Sequence, residues 1–501
     1  MKKNKLKCRI RRGGLRRGVD IPFFLLFAVC AVFSGVTFQD VARDIFNYRL
    51  DQAREQIGAL KDEEKSYARA LYFMHKGLYS EAHDEMSKSG APSDDSWKEY
   101  ISAMKEIGEG FESENIAGFN VRFYPRDKVM LPYLREKLPK INRAMKRIFA
   151  FSPGGVTLEI YPDREKFLKA STLSAEELER SGTVAIAKFS RLMILSPRLL
   201  PYGYRWDDTV CHEYIHHIIG NFTAMNIPLY LNEGIARTFE TLWRKDSPEL
   251  GAPVKNQLAR AKEEGFIEFK KFERGMPSLE SQKDVALAFA EVNYLVYGMF
   301  ESAGAKKIKQ MLIGCGQEGF EKSFEKYVGP LEDYMSSYWE NMRANEWVWQ
   351  GASPDFIYWK EDDDFLSLPI KDYMRMGDRL RSAGKYSLAL LQYGKAEALE
   401  PENTLVLVKT AKTLAASGNR EKADEYFARA ARIADDDFVC LVSRSDFFIS
   451  GGRSEESAPL LLRALERNPF YRKGYEQLYD IYMKNGEKGK AAECAAFMEM
   501  L

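Results

Sequence analysis

"DDTVCHEYIHHIIG" (residues 207–220) carries three of the chain's five histidines. Its apolar flanks suit a buried helix, capped by Asp207 or Asp208 and ended by Gly220. His212 and His216 stand four apart and share one face of that helix. Two imidazoles so placed can bind one Zn2+, with Glu213 near the open coordination position. His217 is rotated by about 100° from His216 and reads as a packing residue or a support behind the site.

Two ligands do not hold a catalytic zinc. The stretch "IPLYLNEGIARTFE" (227–240) offers a third on a new helix that begins after Pro228. Sixteen residues separate His216 from Glu233, enough for the chain to turn and lay a second helix beside the first. Glu233 then completes a His2Glu set with room for a water. Gly234 and Ala236 are small enough to let the helices approach closely, and Asn232 is placed to hydrogen-bond around the site. A buried helix carrying these polar groups needs partners for them, which favours one Zn2+ per chain over surface histidines.

Working outward, the 501 residues exceed one compact domain. Residues 1–20 hold nine Lys/Arg and one Asp, and removing them leaves 65 basic against 72 acidic residues. An acidic balance of that kind argues against a nucleic-acid partner. The 18 residues 21–38, "IPFFLLFAVCAVFSGVTF", contain no charge and can just span a bilayer. The expectation is a basic cytoplasmic segment (1–20), a single-pass signal anchor (21–38), and the bulk of the chain periplasmic or at the cell surface. A cleaved signal peptide is the alternative. The six cysteines form no CxxC pair, so buried thiols are expected rather than a disulfide framework.

Residues 40–112 read as helical, with a hairpin turning at Gly77. In the last quarter, Gly384, Gly418, Gly452 and Gly486 recur every 34 residues, each followed five residues on by Ala389, Ala423, Ser457 or Ala491. This period resembles tetratricopeptide repeats, and four units over 371–501 can stack into one core. Residues 346–370 read as a linker that packs against something before the repeats. The mixed region between has strand-like "NVRFY" (120–124) and "VTLEIY" (156–161) around a helix over 131–149. Asp163 is a candidate helix cap, and a tight reversal near 189–191 separates two β-rich runs.

Residues 115–345, through "HEYIH" and "PLYLNEGIA", resemble the gluzincin metallopeptidases, in particular the bacterial peptidase MA-like domain that accompanies tetratricopeptide repeats. The resemblance implies an α+β zincin-type domain flanked by all-α helical segments. It implies zinc ligands His212, His216 and Glu233, and Glu213 as general base. It also implies that Val184, Ala185, Ile186 and Ala187 belong to an edge strand that pairs with substrate, and that a helix over 285–304 closes the site. Where many relatives carry Tyr–x–x–Ser on that helix, this chain has Phe289 and Val292, which leaves Tyr294 and Tyr297 as nearby candidates for stabilising an oxyanion.

The expectation is a membrane-anchored zinc peptidase that takes a peptide or protein substrate, with repeats that recruit substrate or partner proteins. The competing reading is a zinc-braced scaffold with weak or no catalysis, whose repeats organise an envelope complex. A hydrolase of a non-peptide amide is a third.

Overall fold

The computed structural model describes residues 36–92, 95–151, 154–272, 274–348, 356–360 and 367–501. Residues 21–35 of the expected anchor lie outside them. Among the described residues no helix is long and apolar enough to cross a membrane.

The chain is mostly helical around one small mixed sheet. Five helices lead in, and the hairpin of Asp62–His75 with Tyr79–Lys88 turns at Gly77. The last of the five ends at Gly108, and a strand the sequence pattern did not reveal follows at once. This strand, β1 (Glu112–Ile116), pairs antiparallel with β2 (Phe119–Phe123). It straddles the expected boundary between the helical segment and the mixed region. Its sequence, "ESENI", is mostly exposed and has no apolar alternation, so only pairing to its neighbour makes it a strand.

The helix Leu131–Phe149 then crosses over to β3 (Val156–Tyr161), parallel to β2. Its bounds match the helical periodicity read from the sequence. Asp163 caps the next helix by accepting from Lys166 N–H at 2.8 Å. A hairpin of β4 (Ala185–Lys188) and β5 (Arg191–Leu195) completes the order β1-β2-β3-β5-β4, which leaves β4 on the edge. Phe189 and Ser190 form its two-residue turn, with φ of 53° and 57°. That is the left-handed pair a type I′ hairpin needs, held here without glycine.

Alternation along the strands gives the sheet two unlike faces. Phe119 meets Tyr214 of the helix Trp206–Thr223, ring to ring at 4.9 Å. On the opposite face Arg122 donates to the Gly77 carbonyl, and the fully buried Arg191 pairs with Glu159 at 3.1 Å. Tyr79 bonds both members of that pair. The leading helices are therefore fixed to the sheet by a buried polar network.

The C-terminal part is four helical hairpins: Leu368–Ser382 with Tyr386–Leu399, Thr404–Ala416 with Arg420–Ile433, Phe438–Ser450 with Ser454–Arg467, and Arg472–Lys484 with Lys488–Met500. The four glycines of the 34-residue period sit in their turns at φ between 71° and 91°, a conformation glycine adopts without strain. The third and fourth hairpins are docked on the sheet domain. Trp206 Nε1 donates to the Glu466 carbonyl at 2.8 Å, Lys137 pairs with Glu466 at 2.8 Å, and the Tyr133 and Tyr475 hydroxyls meet at 2.8 Å. Gly203 lies so close to the Arg467 carbonyl that a Cβ would stand 2.3 Å from its oxygen. The connector before the repeats also packs down: Ile357 exchanges two backbone hydrogen bonds with the Gln282 side chain.

Candidate metal centre

The helix Trp206–Thr223 starts one residue before Asp207 and runs past Gly220, so both sequence-read bounds shift. Gly220 is interior to the helix, and the Tyr48 ring packs 3.1 Å from where its Cβ would be. The helix ends at Ala224 in a left-handed cap. Asp208 does not cap the helix; it is buried in an ion pair with Arg244 at 2.6 Å and a bond from Trp243 Nε1 at 2.9 Å.

After a turn, Pro228 precedes the helix Leu229–Phe239, which returns beside the first. Gly234 faces not the histidine helix but a third one. A Cβ there would stand 2.6 Å from the Val292 carbonyl oxygen and from Val296, both on the long helix Gln282–Glu318, which breaks at Gly304. The two helices thus bring three side chains to one point. Nε2 of His212 lies 3.0 Å from Nε2 of His216, and Glu233 Oε2 lies 3.5 and 3.4 Å from them. Donors at about 2.0–2.2 Å around a tetrahedral ion stand roughly 3.3–3.6 Å apart; the two edges to Glu233 fall in that range, and the edge between the imidazoles is shorter.

The hydrogen bonds behind the triangle decide what it can hold. His212 Nδ1 lies 2.8 Å from Glu240 Oε2, and His216 Nδ1 lies 2.9 Å from Asn232 Oδ1. Each partner oxygen accepts the Nδ1 proton, which leaves a lone pair on each Nε2. Two lone pairs and a carboxylate oxygen then face one another in a buried pocket, an arrangement that needs a cation. Protonation answers the same demand. Burial opposes charge on His212, but Glu233 and Glu240 outweigh it and push its pKa up to about 10. Burial likewise opposes charge on Glu233, and the two imidazoles overcome it and hold that carboxyl far below its usual range. Among the described residues this is the group of three that could hold a metal ion. No protein-family model matches the chain, and no curated protein matches it.

Glu213 is buried next to the triangle. Burial raises its carboxyl above the ordinary range, while the two imidazoles and the Ala187 N–H act the other way. The edge strand therefore runs past the base. Val184 itself bonds inward, accepting from Leu195 N–H at 2.8 Å, so alternation turns the backbone of Ala185 and Ala187 outward and that of Ile186 inward.

Tyr294 and Tyr297 do not reach the site. The Tyr294 hydroxyl accepts from Asn345 Nδ2 at 2.8 Å, and its ring packs on Trp347 and Tyr338. Neither tyrosine lines the cavity that holds the triangle. Phe289 does, with its ring edge-on to His212 at 5.9 Å and the Arg237 guanidinium 5.6 Å over it. His217 is a packing residue against Tyr48, and burial lowers its pKa to about 4. His75 is buried against Phe46 and Phe189, apart from the triangle. The four described cysteines are all buried and free.

Sequence reasoning missed Glu240 and Arg237. Arg237 Nη1 lies 2.5 Å from Glu240 Oε1, so it steadies the carboxylate behind His212. Glu240 was findable in principle, as a carboxylate seven residues beyond Glu233 on the same helix face.

Proposed function

We propose that the chain is a zinc-dependent peptidase of gluzincin type, with a tetratricopeptide-like array beside its site. The observation that carries this is the set His212, His216 and Glu233 with an intact Glu213 beside it. A purely structural metal site has no use for a buried carboxylate next to its ligands. A Zn2+ held by these three residues supplies Lewis acidity toward a carbonyl and lowers the pKa of a water. Glu213 takes the proton from the attacking water on its carboxylate and passes it to the leaving amine. Burial, which raises its carboxyl, suits a group that must hold a proton between those two steps. Ala185 presents its outward N–H and carbonyl, and Ala187 its carbonyl, for an extended peptide to pair with, while the Ala187 N–H serves Glu213. Asn232 and Glu240 keep both imidazoles in the tautomer that leaves Nε2 free. Arg237 is the cationic donor beside Phe289, where no hydroxyl stands.

The test is the metal content of the full chain and of Glu233→Ala, together with cleavage of a peptide library by wild type and Glu213→Gln. About one zinc per chain, lost in Glu233→Ala, and cleavage lost in Glu213→Gln with zinc retained, are the results expected. Zinc binding without cleavage by wild type would leave the scaffold reading, which the absence of a hydroxyl at Phe289 favours.

A further inference from the structure

The triangle and the repeats share one cavity of about 2380 Å³. A small-molecule pocket is about 300–1,000 Å³, so this volume suits a polymer. One wall is the metal centre and β4; the facing wall is the first two hairpins of the repeat array. That wall does not swing freely, because the third and fourth hairpins are bonded to the sheet domain through Trp206, Lys137 and Tyr133.

The two helix faces of the repeat wall that front the cavity are basic, while Glu400, Glu402, Asp435, Asp436 and Asp437 stand in the turns between hairpins. Arg375 and Arg381 come from the helix Leu368–Ser382, and Lys409 and Lys412 from Thr404–Ala416. Asp378, among them, is already engaged by Lys409 and by the Tyr393 hydroxyl. Arg375, Arg381 and Lys412 have no ion-pair partner among the described residues. The chain beyond residue 20 is acidic overall, so cations gathered here oppose the general balance. Lys412 also registers the crowding: partial burial in the wall, then Arg381 and other neighbouring cations, lower its pKa. Asp378 is the one carboxylate that these two helices turn to the cavity, and Lys409 holds it, so Arg375, Arg381 and Lys412 keep a mutual repulsion that an anionic ligand offsets.

We propose that Arg375, Arg381 and Lys412, beside the Lys409–Asp378 pair, form a docking subsite for a run of acidic side chains in an extended polypeptide, whose backbone continues across the cavity to β4. This rests on the peptidase reading and names its substrate class. Several cations spread over two helices match several carboxylates better than one chain terminus.

The probe is a fluorescein-labelled unstructured peptide with four consecutive glutamates, compared with its glutamine counterpart. Binding to the full-length Glu213→Gln protein is followed by anisotropy, with and without chelator. The glutamate peptide should bind at least about tenfold tighter, the scale of one charge-assisted contact. The preference should vanish in Arg381→Glu/Lys412→Glu, persist in Arg381→Lys/Lys412→Arg, weaken with salt, and survive chelator. Both positions lie on the cavity surface, so circular dichroism should be unchanged in all variants. Equal binding of the two peptides, or a preference untouched by the double reversal, overturns the proposal. So does a loss of binding on amidating the peptide C-terminus alone, which would point to a terminal carboxylate. A glutamate peptide that binds this way yet resists wild-type protein sustains the subsite and overturns the peptidase reading. Cleavage of both peptides with equal kcat/KM does the reverse.

Discussion

Glu240 Oε2 stands 2.8 Å from Nδ1 of His212, with Arg237 closing on the other oxygen of the same carboxylate. The bond sets which imidazole nitrogen keeps its lone pair. Glu240→Gln should therefore weaken metal affinity by about 10–100-fold, measured by titration against a competing chelator. Hydrolysis should return at saturating metal. Unchanged affinity would mean the bond only braces the helix end.

Tyr294 is committed to Asn345 and Trp347 rather than to the cavity. Tyr294→Phe should leave kcat/KM within about twofold of wild type while costing about 1 kcal/mol of stability for the lost hydrogen bond. A hundredfold fall in kcat with an unchanged melting temperature would return the tyrosine to the reaction.

Gly203 combines a φ of 61° with the Arg467 carbonyl in the space a side chain would take. Neither strain nor clash can relax without moving backbone. Gly203→Ala should cost more than about 1 kcal/mol and loosen the repeats from the sheet domain. Limited proteolysis should release a fragment holding the last four hairpins faster than from wild type. An identical digestion pattern would show that the docking does not depend on this approach.

Glu291 is fully buried on the helix Gln282–Glu318; one oxygen accepts from Ile267 N–H at 2.8 Å and the other has no partner. Burial pushes its pKa up from 4.5 to about 8, against the Ile267 bond. A carboxyl with a raised folded-state pKa binds more protons folded than unfolded between those values. Its penalty is absent below pH 4.5 and grows until the pH passes about 8. Glu291→Gln keeps the acceptor and removes the ionisation. The variant should be more stable than wild type at pH 9, by roughly a few kcal/mol, and the gap should close by pH 5. A gap independent of pH, read by chemical denaturation, would overturn the assignment.

The two site helices and the repeat turns were readable because their signals are local. The spacing of His212 and His216, the pair Glu233–Gly234 and the four glycines each depend on residues within one or two helical turns. What was hidden depends on distant partners. β1 has no apolar pattern and exists by pairing with β2. Gly220 looked like a helix stop because nothing in its surroundings announces the Tyr48 ring packed on it. Tyr294 and Phe289 differ by five positions on one helix, and only the neighbouring helices decide which faces His212. The sequence offered no sign of where the repeats sit, and the structure makes them a wall of the same cavity.

That wall has a consequence for how the molecule is made. Tyr133 and Tyr475 meet across 342 positions of chain, so the cleft gains its second side only once the last two hairpins have been synthesised and folded. Loop closure over such a span is cheap at equilibrium, about 0.6 kcal/mol per doubling of length. In time, however, it comes last. A nascent or C-terminally clipped chain has the pocket of His212, His216 and Glu233 open on one side and lacks the docked helices facing it. The two-sided cleft is therefore acquired later than the pocket itself.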